Sequence, residues 1–177
     1  MQPLDLQTGD VLLFERGSKR GSFMGRIIRL VTGSKYTHCA MIVMQGREPL
    51  VFEQDGKVTL VPLRTHGFDE PVSVWRNIGV TWHKDAFTVA SQLIGQPYGY
   101  ANLLECLWSH TVNRYNILLP CPMVLEACRP RVTCAGLIAN MLRACAVNVP
   151  YFAHVSTVAE PDDFSTNGYA QIGVLND

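Results

Sequence analysis

A chain of 177 residues, 47% apolar and only 17% charged, can bury one sizeable core without disulfide or metal staples, so a single domain over residues 1–177 is expected. Fifteen basic residues balance fifteen acidic ones, and a formal net charge of zero removes the electrostatic footprint of a nucleic-acid or anionic-membrane binder. The start, MQPLDLQTGD, is not of signal-peptide type and no apolar run is long enough to span a bilayer, so the sequence reads as that of a cytoplasmic protein.

The first element follows the turn-like TGD: VLLF, Val11 to Phe14, reads as a strand, with Asp10 ending the turn. Residues 22–32 (SFMGRIIRLVT) place Phe23, Ile27 and Leu30 or Val31 at helical spacing before Gly33, a C′ residue. His38 then opens an apolar run, Cys39 to Met44, that lacks alternation, the pattern of a central strand covered on both faces. Further strands are expected at Leu50 to Glu53, Lys57 to Leu63 and Pro71 to Arg76. If Gly46-Arg47 is a two-residue type II′ turn, Gln45 faces Glu48 and Ala40 faces Glu53. His38 and Glu53 then become diagonal neighbours on one sheet face. Glu53 is an orienting group for the imidazole or, equally, an exposed strand-end carboxylate.

After Trp82 the period changes. Lys84 to Ile94 reads as an amphipathic helix closed by Gly95, and 102–112 as another. Prolines interrupt the apolar segment 116–132, which is expected to be a long ordered loop. Cys134 to Val147 (CAGLIANMLRACAV) has the strongest helical pattern, with Thr133 as N-cap, and the tail from His154 to Asp177 reads as irregular. A strand, a helix, a group of antiparallel strands and then helices make an α+β fold rather than a doubly wound sheet.

The cysteines at 39, 106, 121, 128, 134 and 145 match no short-knuckle zinc spacing, and most read as reduced thiols; neither a metal nor a cofactor is expected. Cys134 differs from the rest in position. At a helix N-terminus the unpaired N–H groups and the macrodipole favour an anion, so its thiol pKa is lowered. A buried structural cysteine is the alternative for any such residue taken alone.

Together GDVLLF (9–14), YTHCAMIV around His38, VFEQDG around Glu53, LIGQPYGY (93–100) and TCAGLIANML (133–142) resemble the circularly permuted papain-like cysteine hydrolases, the permuted NlpC-type and YiiX-like proteins. The motifs span most of the chain, and their joint order is more specific than any one of them. The resemblance implies a small antiparallel sheet packed against helices, with Cys134 as nucleophile, His38 as general base and then acid, and Glu53 orienting the imidazole. Tyr98 in GQPYGY matches a tyrosine near the active site of related enzymes, a candidate for holding an oxyanion or substrate; it is also readable as a turn aromatic. The implied substrates are peptides (cell-wall peptides among them), other amides or lipid acyl esters. The lecithin-retinol-acyltransferase branch carries Asn-Cys-Glu-His-Phe at its nucleophile, whereas this helix reads TCAGL, so a lipid acyltransferase or thioesterase is the alternative. A non-catalytic binding or structural module that retains the fold is the rival of a different class. The apolar stretch from Asn116 to Ala127 is a candidate acyl groove or a loop folded on the core, and Cys39 is expected to pack on the strand face opposite His38.

Overall fold

The structure, a computed structural model, describes residues 5–15, 29–30, 33–97, 133–148, 164–165 and 168–176. Its centre is set by two strands whose apolar runs admit no solvent. β1 (Val11–Phe14) is buried at every position, and β2 (His38–Gln45) is buried from His38 through Val43. They pair antiparallel, with Phe14 opposite His38 and Val11 opposite Met41. β3 (Glu48–Asp55) adds through the Gly46-Arg47 turn, where Gly46 has φ 63°, and β4 (Lys57–Pro62) follows through Gly56. The register pairs Gln45 with Glu48 and Ala40 with Glu53, as the turn length dictates. β5 (Val72–Asn77) pairs with the other side of β1, and β8 (Tyr169–Leu175) completes a six-stranded sheet in the order β4-β3-β2-β1-β5-β8. Every pairing in it is antiparallel. β6 (Thr81–Trp82) and β7 (Ala146–Val147) form a separate two-stranded ribbon.

Alternate residues of the central strands feed two cores. Val11, Leu13, Cys39, Met41, Val43 and Phe52 face the helices, and Leu12, Phe14, Ala40, Ile42, Val51 and Val74 pack with Phe68 on the other face. Three helices are described in full: α1 (Leu63–His66), a single turn after Pro62; α2 (Ala86–Leu93), whose N-cap Asp85 accepts from the N–H groups of Phe87 and Thr88; and α3 (Cys134–Cys145). From α3, Leu137, Ile138, Met141, Leu142 and Cys145 are all buried in the first core. At roughly 1.5–3 kcal/mol per fully buried aliphatic side chain, this face is the main force docking α3 on the sheet.

The turn before β1 is clamped at several points. Gly9 donates to the Ile42 carbonyl, Ile42 donates to the Asp10 carbonyl, and the Thr8 hydroxyl accepts from the Met44 N–H. Gly9 has φ 96°, and a Cβ there would stand 2.6 Å from Trp82, so both the backbone and the close approach require glycine. Asp10 closes the turn by accepting from the Gln7 N–H, and its buried carboxylate receives a fork from Arg76, Nε to Oδ1 and Nη2 to Oδ2, both at 2.6 Å.

Two expectations are corrected. The tail is not irregular throughout: residues 169–175 form β8, which pairs with β5 across a bulge between Val74 and Trp75. The last helix ends at Cys145 rather than Val147, because Ala146 turns extended and the Cys145 carbonyl accepts from the N–H groups of His83 and Lys84, tying the helix end to the β6 segment. The helix expected at 22–32 is described only at Arg29 and Leu30, and those at 102–112, the 116–132 loop and Tyr98 lie outside the described residues.

Candidate active site

Four groups meet where β2 begins. Thr133, in extended conformation, caps α3 by accepting from the Gly136 N–H at 3.1 Å, which places Cys134 as the first helical residue with its thiol near the start of β2. Cys134 is 5% exposed and lies in the same apolar cluster as Cys39. No disulfide joins Cys39, Cys134 or Cys145. His38 projects on the opposite strand face from Cys39, its ring 5.2 Å from that of Phe14, and its Nε2 is 3.0 Å from Glu53 Oε2. The imidazole also hydrogen-bonds Cys134; with Nε2 committed to Glu53, Nδ1 is the nitrogen left for the sulfur.

The electrostatics follow from these contacts. The Cys39 thiol, hydrogen-bonded to Cys134, leads the groups that hold the Cys134 thiol well below its ordinary 9.0; His38 and the Cys39 N–H act in the same direction, and together they outweigh burial. Burial alone would lower His38, but its hydrogen bonds to Cys134 and Glu53 raise it from 6.5 to about 10. Burial would raise Glu53, yet the donors His38 and His66 bring it from 4.5 down to about 2. These contacts favour the ionised thiol, the protonated imidazole and the ionised carboxylate together.

Cys134, His38 and Glu53 are thus brought together. Two neighbours are additional. Cys39 packs on the helix-facing side as expected, but it also touches the Cys134 sulfur. His66, at the end of α1, was not singled out by the sequence: its Nε2 is 3.0 Å from Glu53 Oε1, so the carboxylate stands between two imidazoles. An open cleft lined by Thr8, Asp10, Arg76 and Trp82 includes none of these residues. Among the described residues, no helix is long and apolar enough to cross a membrane.

A six-stranded antiparallel sheet backed by helices places the chain in the mixed α/β class. No family model matches it. The chain is similar to YiiX: it is 29% identical over 102 residues to the uncharacterized protein YiiX of Escherichia coli (strain K12), a stretch covering 54% of this chain and 48% of that protein. It therefore spans about half the length of the curated relative it matches. A crystal structure of YiiX from Escherichia coli O157:H7, described as a metalloprotein, shares the fold with a TM-score of 0.52 at 24% identity, over 78% of this chain and 65% of that one.

Proposed function

We propose that the chain is a thiol hydrolase built as one papain-like domain in circularly permuted order, acting on an amide or acyl ester through a thioacyl-enzyme. The supporting observation is the contact of the Cys134 thiol with an imidazole whose other nitrogen is held at 3.0 Å by a buried carboxylate. In this reading the Cys134 thiolate attacks the acyl carbon, and the first-turn N–H groups of α3 stabilise the oxyanion that develops. As the tetrahedral adduct collapses, the His38 proton passes to the departing amine or alcohol. Neutral His38 then takes a proton from water, whose oxygen attacks the thioester; collapse expels the Cys134 thiolate, releases the acid and leaves His38 protonated as before. Glu53 orients the ring and stabilises its charge throughout. Tyr98 stays a candidate for the oxyanion or substrate.

Among the described residues, no group of three or more His, Cys, Asp or Glu side chains is disposed to hold a metal ion, so the metalloprotein description of YiiX finds no ligand set in this part of the chain. Peptide and amide substrates are favoured over lipid esters because the sequence around Cys134 departs from the lipid branch.

The test is the acyl group left on Cys134. The protein is incubated with mixed muropeptides or with diacyl phospholipid vesicles, quenched in acid and weighed intact. A peptide-sized adduct is expected; a fatty-acyl adduct alone would move the substrate class to lipids. No adduct from either donor, with Cys134 reduced and accessible, would favour a binding module instead.

A further inference from the structure

Glu53 has two carboxylate oxygens and His38 uses one. The other, Oε1, is taken by His66 Nε2 at 3.0 Å, with both side chains more than nine-tenths buried. A carboxylate is acceptor-only, so His66 Nε2 must carry the proton of this bond. His66 Nδ1 is buried and has no hydrogen-bond partner, so the ring's polar contact is made through Nε2. The imidazole is wedged by aromatics, its centroid 4.8 Å from Phe68 and 6.3 Å from Phe14, and Phe14 in turn packs on His38. Two N–H donors, one on each oxygen, fix both the position and the plane of the carboxylate.

We propose that His66 is a positioning residue of the site: by donating to Glu53 Oε1 it holds the carboxylate in place and in plane for His38, extending the row to Cys134, His38, Glu53 and His66. The proposal rests on the hydrolase reading and deepens it. Among the described residues, the titratable groups facing Glu53 are His38 from β2 and His66 from α1, with Cys134 of α3 beyond His38. Thr59 lies opposite Glu53 on β4, Phe14 comes from β1, and Arg64 of α1 points away to Glu48. Without His66, Oε1 is a buried oxygen lacking its donor. The carboxylate is then less firmly held against His38, so the imidazolium and, through it, the Cys134 thiolate lose stabilisation and the thiol takes up its proton at higher pH.

The experiment follows the rate at which iodoacetamide alkylates Cys134 from pH 4 to 8, mapped by mass, in the unmodified chain, His66→Phe and His66→Gln. Phenylalanine keeps the ring packing and removes the donor, whereas glutamine restores an N–H. His66→Phe is expected to move the acid limb up by about one pH unit, about a tenfold slower reaction on that limb, and His66→Gln to bring it back most of the way. A folded His66→Phe with an unchanged limb overturns the proposal, as does an equal shift in both variants. If Cys134 in the unmodified chain behaves as an ordinary thiol, its rate still climbing at pH 8 without a plateau, the hydrolase reading itself fails, a distinguishable result. Should His66→Phe not fold, the long-range proton–nitrogen spectrum of the unmodified chain decides: a proton on His66 Nε2 is expected, and an unprotonated Nε2 overturns the proposal.

Discussion

Stability measured against pH distinguishes a proton transferred within the site from one added to it. Folded, His38 keeps its proton up to about 10 and Cys134 has lost its own well below 9.0. Unfolded, the imidazole holds its proton only to its ordinary 6.5 and the thiol holds one to 9.0. Wherever the folded thiol has already ionised, each state carries one proton on the pair between these two values, on His38 when folded and on Cys134 when unfolded. The pair therefore contributes no slope there. An isolated imidazolium raised to the same value would behave differently. Its stabilisation, fully present below pH 6.5, would fall by about 1.4 kcal/mol per pH unit above it, roughly 3 kcal/mol by pH 9. Above pH 9 the unfolded thiol ionises while folded His38 is still protonated, so the pair's contribution drops by about 1.4 kcal/mol on the way to pH 10. Cys145, whose thiol burial pushes up, adds to that drop; Cys134→Ser retains the Cys145 part and loses the Cys134 part. Urea unfolding followed by tryptophan fluorescence at half-unit steps from pH 6 to 10 gives the curve. A wild-type loss near 3 kcal/mol between pH 6.5 and 9 would refute the paired thiolate and imidazolium.

Iodoacetamide at pH near 6 is expected to modify Cys134 ahead of the other five cysteines, and equal labelling on a mass map would remove its distinction. Glu53, with its folded value near 2 against 4.5, contributes roughly 3 kcal/mol that is present above pH 4.5 and lost as pH falls through 4.5 toward 2; Glu53→Gln should flatten that acid limb in urea titrations. Asp10→Asn leaves the Arg76 fork without its anion and is expected to cost about 3 kcal/mol, with the partly exposed Arg76 limiting the loss, while Cys134 alkylation in the folded variant stays unchanged. Gly9→Ala combines a positive φ with a Cβ driven against Trp82 and should cost roughly 2–4 kcal/mol in the same assay, where a change under 0.5 kcal/mol would contradict the packing.

Local geometry made much of the site legible. A two-residue turn headed by glycine fixes the parity of β2 against β3, and parity alone puts His38 and Glu53 on one face. Thr133 followed by a strongly periodic run located the helix start and hence Cys134. What the sequence did not disclose depends on contacts without a period. His66 ends a single helical turn after Pro62, and only the chain's return across the sheet face brings it to Glu53, so no spacing rule applies. β8 is a half-exposed edge strand, glycine at 173, whose pairing partner β5 lies far earlier in the chain; its alternation is too weak to read. The contact of Cys39 with Cys134 is a matter of how α3 docks, which strand parity cannot specify.

The site is assembled from pieces of very different sequence separation, which orders its appearance in time. His38 and Glu53 are 15 residues apart and joined by a tight hairpin, a contact of small loop-closure entropy. The sulfur arrives with α3, and its ionisation depends on β2 having formed beneath it. A chain in which α3 has not docked therefore carries an ordinary thiol at 134, and the lowered thiol value emerges only with the long-range docking step. The alkylation rate of Cys134 during refolding is consequently expected to report when α3 docks on β2, a contact of far greater sequence separation than the hairpin.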